Sequence, residues 1–311
     1  MLNPGFSATA EKEYGRAYVI PPDLARAVLE ANADTEGGPE RRTQRVYGEE
    51  LRLRLRQVGL ENLRLENAAV LDACCGSGFL SYHLLQRADP GSLTLLDVSR
   101  EELRSAERLI RETRFDRSRL SMECADLTDA SPAGAPFDLV VGNSFLHHFP
   151  DVPAVLRSAF RLTRPGGWFA GLHEPTPAAL PWESGDLRQV AEYFLFRDRY
   201  LRRGRPDEGG SVREGTTDVW LFDMRQLRQL LTDAGFVDVR VVARYLLRPF
   251  FVGALGLHLS DERPRLTGRQ ERGLMLACRL DAVLRRVLPA GAFGGLAFAA
   301  RRPPEPGDSD G

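Results

Sequence analysis

The chain has 311 residues, 43% of them hydrophobic and 27% charged, with a formal net charge of −1. That length supports one large α/β domain with additions, or two small domains. The near-neutral balance excludes a global attraction to nucleic acid or to an anionic membrane surface.

From Ala69 onward, short apolar runs alternate with amphipathic stretches, which predicts strands joined by crossover helices and hence a mostly parallel sheet. Val70–Ala73 is the first predicted strand. The glycine turn Gly76-Ser77-Gly78 follows, then a helix with Leu80, His83, Leu84 and Arg87 at helical spacing. Leu93–Asp97 is the second strand. Ser99 is placed to cap the next helix, with Glu102 completing a capping box and Leu103, Ala106, Leu109 and Ile110 facing inward. Arg119–Cys124 and Phe137–Gly142 are the third and fourth strands. Asp151 caps a helix whose inner face is Val155, Leu156, Ala159 and Phe160, and Pro165-Gly166-Gly167 is expected to break it before a fifth strand, Trp168–Leu172. Asp223 caps a helix that buries Leu227, Leu230 and Leu231 and ends at Gly235. Val237–Val242 and Leu296–Ala300 are the sixth and seventh strands, with a helix over Gly268–Leu288 between them. Leu51-Arg52-Leu53-Arg54-Leu55-Arg56 alternates like a strand, yet Leu51, Leu55 and Val58 fit one helical face.

Three stretches lie outside this core: 1–66, a helical N-terminal lid or cap segment, and two cap insertions near 174–222 and 246–293. The core itself is expected over 67–301, with a disordered tail at 302–311. Aromatic residues in the first insertion (Trp182, Tyr193, Phe194, Phe196, Tyr200 and Trp220) suit an apolar or aromatic ligand, and Tyr14 and Tyr18 could close over it. The run Arg197, Arg199, Arg202, Arg203, Arg205 reads as a solvated helix end. Lys12 is the single lysine among 42 basic residues. This bias fits GC-rich codon usage, so residue type alone marks no arginine as functional. Cys74, Cys75, Cys124 and Cys278 show no metal-ligand spacing, so no metal site is expected. No secretory leader follows Met1, and no apolar run approaches the ~20 residues of a membrane span. A reduced, cytoplasmic protein is expected, while oligomeric state is left open.

Ligands of an open parallel sheet bind beyond the carboxyl ends of its strands, where strand order reverses. The first four predicted strands all end in polar or small residues: Asp72 with Gly76 and Gly78, then Asp97, Asp126 and Asn143. Gly76 and Gly78 allow a tight turn and close approach of backbone to ligand. Asp97, 19 residues past Gly78, can accept hydrogen bonds from two ribose hydroxyls. Asp126 can accept from an exocyclic amine, and Asp72 can offset a cationic group.

Val70-Leu71-Asp72-Ala73-Cys74-Cys75-Gly76-Ser77-Gly78-Phe79-Leu80 resembles the cofactor-binding glycine motif of class I S-adenosylmethionine (SAM)-dependent methyltransferases. Glu123–Leu127 resembles their adenine-contact segment, Phe137–Phe149 their fourth-strand motif, and Leu162–Trp168 the turn before their fifth strand. The resemblance covers about residues 66–175, with a further match at 223–243. It departs from the family at Cys74, where a further glycine is frequent. It implies a Rossmann-like α/β fold with a seven-stranded, mostly parallel sheet, helices on both faces and an antiparallel seventh strand. It also implies SAM held by Asp72, Cys74, Gly76, Gly78, Asp97, Val98, Asp126, Leu127 and Asn143. The expected partner is a small-molecule acceptor, with neither nucleic acid nor membrane involved. Candidate bases for methyl transfer are His147 and His148 after the fourth strand and His173 and Glu174 after the fifth.

Three other readings are weaker. A nicotinamide-dependent dehydrogenase would need a third glycine where Ser81 stands, and Asp72 would repel its pyrophosphate. An amine-methylating nucleic-acid enzyme would carry an Asn- or Asp-Pro-Pro-aromatic motif where this chain has Asn143-Ser144-Phe145. A protein of this fold could also bind SAM while catalysing another reaction, such as decarboxylation or cyclisation, or none.

Overall fold

The computed structural model describes residues 39–149, 151–179, 188, 191, 195, 221–254 and 266–305. Tyr14, Tyr18, the arginine run at 197–205 and the six aromatic residues expected in the first insertion lie outside these residues.

Seven strands form one sheet: β1 (Ala69–Ala73), β2 (Ser92–Asp97), β3 (Leu120–Cys124), β4 (Phe137–Gly142), β5 (Thr163–Pro175), β6 (Val237–Arg244) and β7 (Gly295–Arg301). Their spatial order is β3-β2-β1-β4-β5-β7-β6. β1 pairs in parallel with both β2 and β4, so strand order reverses between them. β7 runs antiparallel between β5 and β6, as the seventh strand was expected to. β6 therefore points the same way as β5, and its carboxyl end lies on the same sheet edge as those of β1 to β5.

The helices are α1 (Pro39–Gln57), α2 (Phe79–Leu85), α3 (Arg100–Ile110), α4 (Val152–Leu162), α5 (Met224–Asp233), α6 (Leu247–Ala254) and α7 (Gly268–Leu284). Alternation along the strands sorts the core into two faces. Val70, Leu93, Leu95, Leu139 and Val141 pack with Leu51 of α1, Leu84 of α2 and Leu103, Ala106 and Ile110 of α3. Leu71, Ala73, Leu96, Val140 and Phe169 pack with Val155, Leu156 and Ala159 of α4 and Leu227 and Leu231 of α5. The helix starts follow local chemistry. Ser99 accepts from the Glu102 N–H, Asp151 from Ala154, and Asp223 from Arg225 and Gln226. Leu230 is only part-buried.

Four local expectations are corrected. Leu51–Arg56 is helical, inside α1. Its leucines serve a helical face rather than a strand, because α1 lies across the sheet face beside α2. Pro165-Gly166-Gly167 does not separate helix from strand: α4 ends at Leu162 and β5 already begins at Thr163. The prolyl-glycyl segment is absorbed as a register shift against β4 between Phe137 and Leu139. The helix predicted over Gly268–Leu288 stops at Leu284, Arg285 being its C-cap. The disordered tail does not start at residue 302. The Arg302 guanidinium donates to the carbonyls of Phe160, Arg161 and Thr163, satisfying the orphaned end of α4.

The described part of the N-terminal segment and of the second insertion build one layer. α1, α6 and α7 meet around Glu50, and Arg45 of α1 forms an ion pair of 2.8 Å with Glu271 of α7. Among the described residues no helix is long and apolar enough to cross a membrane.

Candidate functional site

The carboxyl edge of the sheet divides into an acidic and a basic half at the point where strand order reverses. The acidic half is built by β1, β2 and β3. After β1 the backbone turns through Cys74 (φ 56°), Gly76 (φ 49°) and Gly78 (φ 80°), three left-handed residues within five positions. Two are glycines, for which this conformation is free. Cys74 adopts it at a cost of about 1–2 kcal/mol. A Cβ on Gly78 would lie 2.7 Å from the Ala106 Cβ, so this glycine also lets α2 start hard against α3.

Asp97 ends β2 and holds this turn together. Its two oxygens accept from the N–H groups of Gly76 and Ser99, both at 2.9 Å. Each oxygen keeps a second lone pair for a ligand hydroxyl. Burial pushes its carboxyl above the ordinary value, opposed by these backbone N–H groups. Asp126, after β3, engages the Thr128 N–H and hydroxyl through Oδ1 alone, at 2.8 Å each. Leu127 is buried, its carbonyl accepting the Ser158 hydroxyl at 2.6 Å. Val98 is 42% exposed, an apolar side chain open to solvent beside Asp97.

Asp72 is the most unusual member. It is buried at 1% exposure; Oδ2 takes the Ser81 hydroxyl at 2.5 Å, while Oδ1 is buried with no hydrogen-bond partner. Burial pushes this carboxyl up to about 7 against the Ser81 hydrogen bonds. A buried carboxylate oxygen without a donor costs free energy unless a cation or donor reaches it.

β4, β5, β6, α1 and α6 build the other half. The post-β4 turn runs Asn143, Ser144, then a 3₁₀ turn over Leu146–His148. Glu174, fully buried near the end of β5, accepts from the N–H groups of Leu146 and His147 at 3.1 Å each and pairs with the His147 Nδ1 at 2.7 Å. It thus fixes the turn that carries His147 and His148, whose rings lie 3.9 Å apart. His173 packs edge-on against Tyr245, 4.9 Å between centroids, and its backbone carbonyl accepts the Ser144 N–H. Burial, then the charge of Arg54, drives the His173 imidazole well below its ordinary value, so it is neutral at physiological pH. The structure therefore brings all four candidate bases to the ends of β4 and β5, but gives them different surroundings. Glu174 and His147 are committed to each other, whereas His173 faces the basic half.

The residues that give this half its charge carry no local signal in the sequence. Arg54 of α1 donates to the Asn143 Oδ1 at 2.6 Å, to the Tyr245 hydroxyl and to Glu50 at 3.0 Å. Arg248 of α6 pairs with the other oxygen of Glu50 at 2.5 Å. Arg244, the last residue of β6, is 6% exposed. Burial pushes the Glu50 carboxyl up, but Arg248, Arg54 and Arg244 outweigh this and hold it below the ordinary value. Among the described residues no cluster of His, Cys, Asp and Glu could hold a metal ion.

Residues 70–167 match the family described as a methyltransferase domain. The chain is 26% identical over 199 residues to the demethylmenaquinone methyltransferase of Geobacillus sp. (strain WCH70), covering 62% of this chain and 78% of that one. Against other curated relatives, an uncharacterized methyltransferase of Mycobacterium bovis and a ubiquinone biosynthesis O-methyltransferase of Pseudomonas entomophila, the match spans only 54% and 65% of their lengths. Among solved structures, the [4+2]-cyclase SpnF superposes with a TM-score of 0.52 at 18% identity, over 94% of this chain and 96% of that one. The geranyl diphosphate C-methyltransferase of Streptomyces coelicolor A3(2) superposes with a TM-score of 0.51 at 16% identity, over 92% and 88%. These two likenesses concern the fold.

Proposed function

We propose that this chain, whose residues 70–167 match the methyltransferase-domain family, is a class I SAM-dependent methyltransferase that transfers the methyl group of SAM to a small-molecule acceptor. The observation that carries this reading is the row of carboxylates at successive strand ends, with the buried Asp72 Oδ1 lacking a partner. An ammonium group of an amino-acid ligand is the natural complement of that oxygen. Two ribose hydroxyls suit the free lone pairs of Asp97, and an exocyclic amine suits Asp126. The exposed Val98 side chain offers an apolar surface between them. These residues fit an adenosyl amino acid and fit a dinucleotide pyrophosphate poorly, because Asp72 would repel it.

When bound, SAM supplies an already activated methyl group on a sulfonium, displaced in line by the acceptor. The protein's task is then chiefly alignment, which can account for about 7–11 kcal/mol of a barrier. Glu174 and His147 hold the post-β4 turn in place. His173, kept neutral by its surroundings, is the group suited to take a proton from a hydroxyl or amine acceptor as its lone pair attacks.

Incubation of the protein with SAM and a panel of phenolic, carboxylic and phosphorylated small molecules is expected to release S-adenosylhomocysteine and a product heavier by one methylene, read by mass spectrometry. Cofactor binding with no S-adenosylhomocysteine formed from any acceptor would exclude methyl transfer to these classes, and would favour a non-methyl reaction on the same fold.

A further inference from the structure

The basic half of the sheet edge contains a buried guanidinium that forms no ion pair among the described residues. Arg54 and Arg248 share Glu50, one guanidinium on each oxygen. Asp281 of α7 is occupied in capping α6: its oxygens accept the N–H groups of Leu246, Leu247 and Arg248. Arg244 is left over. It is more than nine-tenths buried, and its NH1 has no hydrogen-bond partner among the described residues. The adjacent Tyr245 ring centroid lies 5.1 Å from the guanidinium carbon, and Glu50 and Asp281 attract the charge without forming an ion pair with it. Burial, followed by repulsion from Arg54, pushes Arg244 down to about 9, so it still carries its charge at neutral pH. Of these three guanidiniums, Arg244 alone forms no ion pair with a carboxylate among the described residues.

Burying an ion without a partner costs several kcal/mol. Such a group persists where something outside the chain completes it. Arg244 lines a small cavity with Gln57, Tyr245, Cys278 and Asp281. The Gln57 Oε1 also lacks a partner there. Its amide, turned over, would present an N–H₂ to an anionic oxygen reaching Arg244; the gap itself, about 10 Å³, has the size of one such atom or one water. The position is informative as well. Arg244 ends β6 on the same sheet edge as Asn143 and His173, and Arg54 ties it to both through Asn143 and Tyr245. Carboxylates stand at the ends of β1 and β2 and just after β3; guanidiniums gather at the ends of β4 to β6. A cationic cofactor suits the first half, and an anionic acceptor suits the second.

We propose that Arg244, with Arg54 and Gln57 beside it, forms the anion-recognition site for the acceptor, and that the acceptor carries a carboxylate or phosphoryl group. The proposal rests on the methyltransferase reading for the word acceptor, but anion binding can be measured independently of it. Bound there, an anion also offsets the guanidinium repulsion that adds to burial in holding His173 neutral, and makes that imidazole a stronger base.

The test measures thermal stability of the full chain, with and without S-adenosylhomocysteine, in benzoate, inorganic phosphate or inorganic pyrophosphate, each matched to chloride at equal ionic strength. At least one of these anions is expected to stabilise the wild-type protein beyond chloride, benzoate and the phosphates telling a carboxylate from a phosphoryl site. Arg244→Gln is expected to weaken that anion's affinity about tenfold or more and to leave the affinity for S-adenosylhomocysteine within about twofold. Without anion, Arg244→Gln is expected to melt no lower than wild type, because Arg244 is buried at a desolvation cost and has no ion pair of its own among the described residues. A lower melting temperature would make Arg244 a structural member of the helical layer and overturn the proposal. So would equal stabilisation of wild type and variant, or no stabilisation beyond chloride. Failure of S-adenosylhomocysteine to bind would contradict the cofactor assignment and leave the anion result to be read separately.

Discussion

Replacing Glu174 with alanine is expected to destabilise the protein by about 3–5 kcal/mol, measured by urea unfolding at neutral pH. The side chain is fully buried and engages the Leu146 and His147 N–H groups and the His147 imidazole. Alanine leaves all of these donors without an acceptor in the interior, and each unsatisfied buried group costs about 1–3 kcal/mol. Glu174→Gln keeps one acceptor oxygen and is expected to lose about half as much. The turn that places Asn143 and His148 should loosen in both variants, lowering turnover along with stability. Unchanged stability with turnover alone abolished would instead return Glu174 to the role of a base, one of the roles its position after the fifth strand allows.

Cofactor affinity is expected to depend on pH through Asp72. In the free protein burial pushes this carboxyl up to about 7, against about 3.9 in an unfolded chain. The folded state therefore holds a proton that the unfolded state releases. Stability of the cofactor-free protein should fall as pH rises from about 4 to about 7 and level off above. Affinity for a ligand ammonium changes in the opposite direction, since only the carboxylate pairs with it. S-adenosylhomocysteine should bind with near-constant affinity above pH 7 and lose up to about tenfold per pH unit below it. Calorimetry at pH 6 and pH 8, in buffers of different ionisation enthalpy, should show proton release at the lower pH only. Asp72→Asn should bind weakly at both and show no such dependence. A pH-independent affinity in the wild-type protein would place the ammonium elsewhere.

Much of the scaffold was readable because its determinants are local. A capping side chain needs only the N–H groups two or three residues ahead, so Ser99, Asp151 and Asp223 mark their helices without help from the rest of the chain. Short apolar runs bounded by turns located all seven strands, and the polar residues at their ends located Asp72, Asp97, Asp126 and Asn143 on one edge. What was not readable depends on distant partners. Thr163 to Gly167 joins β5 because β4 and β7 offer backbone groups on either side, a pairing that overrides the helix-breaking signal of Pro165-Gly166-Gly167. Arg302 is ordered by carbonyls at the end of α4. The Glu50 cluster draws Arg54, Arg244 and Arg248 from segments about 190 residues apart, in a chain where arginine is nearly the only basic residue and so marks nothing by itself. The alternation of Leu51–Arg56 hid Arg54 further, since as a strand residue it would have had no reason to meet Glu50 one helical turn earlier.

The most direct test of the cofactor assignment is a calorimetric titration of the purified protein with S-adenosylhomocysteine and, separately, with NADH, repeated on Asp97→Ala. Micromolar binding of S-adenosylhomocysteine, lost in the variant and absent for NADH, is the predicted result. A well-folded wild-type protein that binds no S-adenosylhomocysteine would contradict the account, and the carboxylates at the strand ends would then be ordinary turn residues of an α/β sheet.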